Sequence, residues 1–337
     1  MTWANHSNHS NHSNHSNHSN HSRGGELAHS GGVSTPLLSA ALDDLGITLQ
    51  SGDALCDTGV IAPSPIAAWQ VLNRRHRHEL LVADLTRGLT VAGDRNSAVV
   101  QLDGAELVTI DMHGVDAAFW TAQIDAVRNM KGLRRERMAE ILTQVTDLVS
   151  FMGLAVPLVG GRAEAVTEAV AAVNAAVARI EFAVKFLLSV PRPHIHGADI
   201  APVIQTPAHS AMPSGHAAEA RALAVLLAQL FPGAAASLAH IAARISENRV
   251  VAGVHFPADG PAGMALGDAL GQLYAHRLLG TAAPEPRVHR VADADGLVAA
   301  IPDLPVITPP APIPNGVLAL MRAEMAAELA AVGGGGL

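Results

Sequence analysis

The longest helical pattern in the chain runs from residue 162 to residue 188, and a helix of that length must bury its apolar face. Small and β-branched apolar residues recur on one face, at Ala165, Val166, Ala169, Val170, Val173, Ala176, Val177 and Ile180. Small side chains let a second helix approach closely. Pro191 and Pro193 end the pattern, because proline lacks a backbone N–H and its ring clashes with the preceding turn. The segment therefore predicts a core of closely packed helices.

Composition agrees with such a core. Hydrophobic residues make up 49% of the 337 residues, but aromatic residues only 3%, so alanine, valine, leucine and isoleucine must fill the interior. Apolar spacing predicts further helices over residues 63–84, 116–130, 133–152, 216–230, 234–250, 261–279 and 316–332. Asp103-Gly104 lies between the apolar runs 99–102 and 107–110, which favours a β-hairpin. The predicted fold class is all-α, a compact bundle of about six core helices with a small N-terminal hairpin.

Charge and targeting signals narrow the possible partners. The formal net charge of −8 argues against a nucleic-acid partner, and an anionic substrate must therefore be attracted by a local positive pocket. Cys56 is the one cysteine, so no disulfide forms within the chain. No apolar run approaches the ~18 residues of a membrane span, and the first 25 residues hold no apolar signal region. We expect a soluble, cytoplasmic protein without an integral membrane span. Its Ala-rich helices would permit a homo-oligomer.

Three polar clusters interrupt the apolar pattern between residues 185 and 259. They are Lys185-(six residues)-Arg192-Pro193, then Pro213-Ser214-Gly215-His216, then Arg249-(five residues)-His255-(three residues)-Asp259. Arginine binds the oxygens of a tetrahedral oxyanion in pairs, and lysine binds them as a compact charge. Cationic groups that bracket two histidines therefore predict a pocket for an anion such as phosphate.

The middle and last clusters add specific chemistry. Ser214 is expected to begin a helix as its N-cap, and Gly215 would let an anion approach the unpaired N–H groups there. Lys185 lies in a strongly apolar stretch and needs an anionic partner. A carboxylate at Asp259 would orient the His255 ring, leaving the other ring nitrogen available for attack.

Other histidines near the clusters rank lower as functional residues. His194, His196 and His209 lie on the loop beside the expected pocket and are interpreted as rim residues. No spacing of histidine, cysteine or aspartate supplies a convincing zinc site.

The three clusters resemble the signature of the type 2 phosphatidic acid phosphatase superfamily, in its order and spacing. That superfamily also contains the bacterial class A acid phosphatases and the vanadium-dependent haloperoxidases. One departure is visible: the third block often opens with Ser-Arg, whereas Asn248 precedes Arg249 here. The resemblance implies the helical fold of this superfamily and, given the absence of membrane-span signals, a soluble bacterial member.

The resemblance implies that the chain would be a metal-independent phosphatase that hydrolyses small phosphomonoesters. His255 would form a phosphohistidine, Asp259 would orient it and His216 would act as acid and base. The phosphoryl oxygens would be held by the remaining motif residues, Lys185, Arg192, Ser214, Gly215 and Arg249. The alternative is a haloperoxidase, in which the same pocket holds vanadate, His255 is the vanadium ligand, and peroxide and halide are the substrates. A third hypothesis, a non-catalytic helical oxyanion-binding protein, requires the acid, base and nucleophile set to be accidental.

The chain divides into four predicted segments. Residues 1–34 are low in complexity, since residues 5–22 are six copies of Asn-His-Ser, and they are expected to be disordered. Residues 35–112 should form N-terminal elements packed on the core. Residues 113–280 should form the catalytic helical core, and residues 281–337 a proline-rich segment and a C-terminal helix.

Overall fold

The computed structural model describes residues 65–158, 163–293, 304 and 316–332. The Asn-His-Ser repeat, Cys56 and most of the proline-rich segment lie outside the described residues. The helices are α1 (Pro65–Val71), α2 (Arg74–Leu85), α3 (Ala117–Asn129), α4 (Arg134–Thr143), α5 (Val149–Met152), α6 (Glu164–Leu188), α7 (Pro193–His196), α8 (Gly215–Leu230), α9 (Ala235–Val251), α10 (Asp259–Leu279) and α11 (Val317–Val332). The strands are β1 (Leu89–Gly93), β2 (Ser97–Leu102), β3 (Ala105–Asp111) and β4 (Arg287–Arg290).

Helix α8 lies at the centre of the fold. Every residue of this helix except Gln229 is buried, and α6, α9 and α10 pack around it. Its sequence is mostly alanine and leucine, so the helix can contact neighbours on all sides. The mostly helical architecture is confirmed, while the count of six core helices stays a prediction. No described helix combines the length and apolarity needed to cross a bilayer.

Glycines on α10 allow this helix to lie directly against α8. Gly263, Gly267 and Gly271 recur every four residues and therefore share one face. A Cβ atom at Gly267 would lie 2.5 Å from the Ala218 carbonyl oxygen, and one at Gly271 would lie 2.9 Å from the Ala222 Cα. The two backbones are thus in contact, which fixes the start of α8 relative to the start of α10.

The substitution Gly267→Ala is expected to destabilise the protein. Alanine favours a helix over glycine by roughly 1 kcal/mol. Overpacking against a backbone atom costs about 1–3 kcal/mol, so strain should prevail. Chemical denaturation would measure the free energy of unfolding. Gly132→Ala is the matched control, because a Cβ there meets nothing within 4 Å, and a Gly267→Ala variant as stable as that control would contradict the close approach.

The predicted hairpin belongs to a larger sheet, which corrects the all-α expectation. Strands β2 and β3 pair antiparallel around Asp103-Gly104, as the sequence predicts. However, the sheet within the described residues has four strands in the order β1-β2-β3-β4, and β4, which follows the helical core in the chain, pairs parallel with β3. The sheet packs against α6 and α10. The fold is therefore a helical bundle with a small mixed sheet.

Two predicted helices are each divided in the structure. The predicted helix 63–84 splits into α1 and α2, because the Asn73 side chain caps α2 by accepting the His76 N–H at 2.9 Å. The predicted helix 133–152 splits into α4 and α5, where Asp147 accepts the Ser150 N–H at 2.9 Å. Asparagine and aspartate compete with the helical backbone for its donors, so they favour helix starts over helix interiors.

The C-terminal helix α11 completes the core. Met321, Met325 and Leu329 recur every four residues, are fully buried and join the main hydrophobic cluster. Arg77 on α2 forms ion pairs with Glu324 on α11 and with Glu168 on α6. Helix α11 is therefore attached to the bundle by an apolar stripe and a charged network.

Candidate active site

A small cavity lies where the end of α6, the start of α8 and the loop before α10 meet. It encloses about 230 Å³ including its open mouth. Its lining residues are Glu181, Phe182, Lys185, Arg192, His209, Gly215, His216 and His255. Five residues predicted from the sequence line it, whereas Ser214, Arg249 and Asp259 are buried but are not lining residues. The three motifs thus converge although they span 75 residues of sequence, from Lys185 to Asp259.

His255 is held between an arginine and a carboxylate. Its Nε2 lies 2.9 Å from Arg192 Nη1, and its Nδ1 lies 2.9 Å from Asp259 Oδ2. Because a guanidinium only donates hydrogen bonds, Nε2 must accept one from Arg192. The proton of the neutral ring is then on Nδ1, which donates a hydrogen bond to Asp259. This arrangement selects the tautomer whose unprotonated nitrogen lies on the arginine side of the ring.

Asp259 connects the second and third motifs. It is the first residue of α10, its Oδ2 also accepts the Phe256 N–H at 2.9 Å, and its carbonyl accepts the Ser214 N–H at 2.8 Å. Burial raises the pKa of Asp259 to about 7, and the Phe256 N–H and Arg192 oppose this rise.

His216 is oriented by the backbone at the end of α4. Its Nε2 donates to the Gln144 carbonyl oxygen at 2.9 Å, since a carbonyl can only accept. The Gln144 side chain in turn accepts from Arg249 Nη2 at 2.7 Å. Asn248, the residue that departs from the common motif, donates to the same Gln144 oxygen at 3.2 Å. Gln144 therefore links the histidine of the second motif to the arginine of the third.

Arg249 is a buried cation with unused donors. It is 1% exposed, and its Nε and Nη1 have no hydrogen-bond partner within the described part of the chain. Burial lowers the pKa of Arg249 to about 9. Buried donors of a charged group normally have acceptors, so these nitrogens indicate a place for an anion that supplies them.

Lys185 obtains the anionic partner that its apolar surroundings predict. Its Nζ lies 3.7 Å from Glu181 Oε1, one helical turn earlier, and donates to the carbonyl oxygens of Pro213 and Ser210. Burial lowers the pKa of Lys185 to about 8, and Glu181 opposes this change. The lysine thereby ties the end of α6 to the loop that precedes α8.

Ser214 and Gly215 form the start of α8 as predicted. Ser214 is the N-cap, and its Oγ accepts the Ala217 N–H at 3.4 Å. Gly215 is the first helical residue and lines the cavity, so the N-terminal end of α8 faces the space between the cationic groups. An anion is favoured at such a helix start.

Sequence reasoning missed three residues near the cavity and placed a fourth at its rim. Glu181 and Glu219 are buried acids on α6 and α8, and Gln144 lies at the end of α4. His209, interpreted as a rim residue, lines the cavity and contacts Arg192 Nη2 at 3.2 Å. A glutamate inside an alanine-rich, otherwise apolar helix face was a usable signal for Glu181 and Glu219. Gln144 had no such signal, because tertiary packing alone places it here.

Comparison with known families agrees with this geometry. A model of the PAP2 superfamily matches residues 165–279. Over this segment the chain is similar to the PAP2 superfamily. The PAP2 segment runs from the first turn of α6 to the end of α10 and contains all eight residues predicted for the site. Among curated proteins, no significant match to the chain is found.

Proposed function

We propose that the chain is a phosphatase that hydrolyses small phosphomonoesters through a phosphohistidine at His255. The observation that carries this proposal is the position of His255 between Arg192 and Asp259 at 2.9 Å from each, on the wall of a cationic cavity. That arrangement supplies an unprotonated ring nitrogen beside groups that bind phosphoryl oxygens. The match of residues 165–279 to the PAP2 superfamily model supports phosphatase chemistry in general.

In the first step, His255 Nε2 attacks phosphorus while the bond from phosphorus to the ester oxygen breaks. His216, in its protonated form, gives a proton to the departing alcohol oxygen. Asp259 stabilises the positive charge that develops on the His255 ring. The products of this step are the free alcohol and a phosphohistidine.

In the second step, water attacks the phosphohistidine. His216 takes a proton from this water, the bond between phosphorus and nitrogen breaks, and inorganic phosphate leaves. Both histidines then regain their starting protonation states. Nucleophilic catalysis of this kind divides one difficult displacement into two easier ones.

The cationic groups hold the three non-bridging oxygens. Lys185 and Arg192 line the cavity, and Arg249 contributes buried donors that lack partners within the described residues. Ser214 and the Gly215 N–H supply the helix start. Positive charge that is already fixed in place stabilises the transition state without reorganisation. We therefore propose that the reaction needs no metal ion, because these side chains neutralise the phosphoryl group.

The experiment is hydrolysis of p-nitrophenyl phosphate by the purified chain, with and without a chelator. We expect turnover that the chelator does not change. Quenching in alkaline detergent after reaction with a radiolabelled phosphomonoester should trap a phosphoenzyme that is stable in alkali and labile in acid, as a phosphohistidine is. Hydrolysis without any trapped or kinetically detectable phosphoenzyme would contradict the covalent step.

The haloperoxidase alternative uses the same residues. Vanadate resembles phosphate in charge and shape, so Lys185, Arg192 and Arg249 fit it equally, with His255 Nε2 as the vanadium ligand. Vanadium would supply peroxide activation. A parallel assay with vanadate, peroxide, bromide and a halogen-accepting dye tests this reaction. Vanadate-dependent halogenation with negligible hydrolysis would overturn the phosphatase proposal. A cytoplasmic location and self-association stay predictions from the sequence.

Replacing Arg249 is expected to weaken catalysis strongly. Arg249→Gln removes the unused guanidinium donors, and loss of an oxyanion donor costs on the order of 10²–10³-fold in turnover. Steady-state kinetics with p-nitrophenyl phosphate would measure kcat and KM. The control is Arg179→Gln, which removes an exposed cation on α6. Equal kcat/KM for the two variants would show that Arg249 does not hold the phosphoryl group.

A further inference from the structure

One carboxyl group in the cavity wall has no part in the chemistry above. Glu181 lies on α6, one turn before Lys185, and is 2% exposed. Its Oε2 has no hydrogen-bond partner in the part of the chain that the structure describes. Its Oε1 is 3.7 Å from Lys185 Nζ, which is an ion-pair distance but too long for a hydrogen bond. A buried carboxyl oxygen without a partner requires an explanation.

The carboxyl group lies directly on the anion-binding start of α8. A Cβ atom at Gly215 would be 2.6 Å from Glu181 Oε1, so only the absence of a side chain leaves room for it. Gly215 carries one of the backbone N–H groups proposed to bind a phosphoryl oxygen. Glu181 and a bound oxyanion are therefore immediate neighbours.

Two acids share the buried charge of one lysine. Glu219 on α8, one turn after Gly215, is also 2% exposed, and it interacts electrostatically with Glu181 and Lys185. Burial raises the pKa of both glutamates. Lys185 opposes the rise at both residues, and Arg192 also opposes it at Glu181. Close carboxylates in a buried site cannot both ionise without a large cost.

Other titratable groups face the same space from the remaining elements. His216 on α8, His209 on the preceding loop and His255 before α10 line the cavity with Glu181. Asp259 lies behind His255 and interacts with Lys185. These groups also affect how anion binding depends on pH, but they are the same in the wild type and in a variant changed only at Glu181. The difference in anion affinity between the two proteins therefore reports the effect of Glu181.

We propose that Glu181 is a protonation-controlled gate of the oxyanion pocket, a role that rests on the function proposed above. In its neutral form the carboxyl group donates its proton in a hydrogen bond to a bound oxyanion. In its ionised form it presents a negative charge to the same oxygens and excludes the anion. Binding an oxyanion above the pKa of Glu181 therefore requires uptake of one proton.

Linkage fixes the direction of the pH effect. When binding requires a proton, affinity falls by about tenfold for each pH unit above the pKa of the group. Because burial raises the pKa of Glu181, the neutral form extends above the usual range of a glutamate. Oxyanion affinity should be highest at acidic pH and should decrease once Glu181 ionises.

Sulfate binding measured by calorimetry tests the gate without depending on turnover. Sulfate stays a dianion throughout the useful range, so its own charge does not change. We expect wild-type affinity to fall between about pH 5 and about pH 8, and Glu181→Gln to match the wild type at the lower pH. At the higher pH the glutamine variant should bind sulfate about tenfold more tightly or better, because its amide still donates but cannot ionise.

Controls separate this inference from the phosphatase proposal. Glu164→Gln, on the same helix but exposed and paired with Arg74, should behave like the wild type. A Glu181→Gln variant with the wild-type pH slope, or a wild type that binds no sulfate, would overturn the gate even if hydrolysis proceeds. Failure to hydrolyse p-nitrophenyl phosphate would contradict the proposed function but would not change the interpretation of sulfate binding.

A wild-type measurement covers the case in which the glutamine variant does not fold. Calorimetry in two buffers of different ionisation enthalpy reports the protons taken up with sulfate. Proton uptake that increases as the pH is raised supports the gate, because neutralising Glu181 adds to any proton that the neighbouring histidines take up. Uptake near zero contradicts it.

Discussion

His255→Ala is expected to abolish phosphatase turnover, with kcat falling on the order of 10⁴-fold or more, as when the nucleophile of a catalytic triad is removed. The reason is that Nε2 of this ring is the proposed attacking atom, and Arg192 and Asp259 hold the ring from its two sides. Stopped assays with p-nitrophenyl phosphate would measure the loss. The trapped phosphoenzyme should disappear at the same time.

The matched control for this variant is His240→Ala, which removes an exposed imidazole on α9. It should retain wild-type kcat. Circular dichroism of both variants tests the fold. If His255→Ala folds and keeps its turnover, the nucleophile has been assigned to the wrong residue.

Asp259→Asn should reduce kcat on the order of 10²–10³-fold while preserving shape, as the loss of one electrostatic stabiliser does. The Phe256 N–H and His255 Nδ1 both bond to Oδ2, so the asparagine oxygen can take that position and keep both contacts. The variant loses the negative charge that stabilises the positive His255 ring in the transition state. Kinetics at saturating substrate would show the effect in kcat.

Thermal unfolding separates this chemical effect from loss of fold. Because burial raises the pKa of Asp259 to about 7, the protonated carboxyl favours the folded chain. That contribution is complete below the unfolded pKa of about 4 and is lost as the pH rises through the folded value. Asparagine does not ionise, so the variant does not lose this stability as the pH rises. Its free energy of unfolding relative to that of the wild type should therefore increase from acidic to alkaline pH. A relative stability that decreases with pH would mean that Asp259 is ionised in the folded chain.

Part of the site followed from residue type and spacing. Lys185 in an apolar helix had to find a negative partner, and Glu181 supplies it one turn away. Ser214 before Gly215 had to begin a helix, because a serine hydroxyl satisfies a free N–H there. These are local rules, and they act over four residues or fewer.

Those local rules do not predict contacts between segments that are far apart in the sequence. Gln144 joins His216 to Arg249 only because α4 packs against α9. Strand β4 has the unremarkable sequence Arg-Val-His-Arg, and it becomes a strand only because the exposed edge of β3 is available to pair with it. Neither contact has a signature in the residues that form it.

The sequence by itself determined the mostly helical class, the start of α8 and the residue types of the oxyanion pocket, since helix periodicity, capping and charge are properties of neighbouring residues. Only the tertiary structure decided that Glu181 lies against Gly215 and that Arg192 selects the tautomer of His255. Both depend on how closely α6, α8 and the loops approach one another. Packing of the small residues along these helices sets that distance, and it cannot be read from the spacing of any single motif.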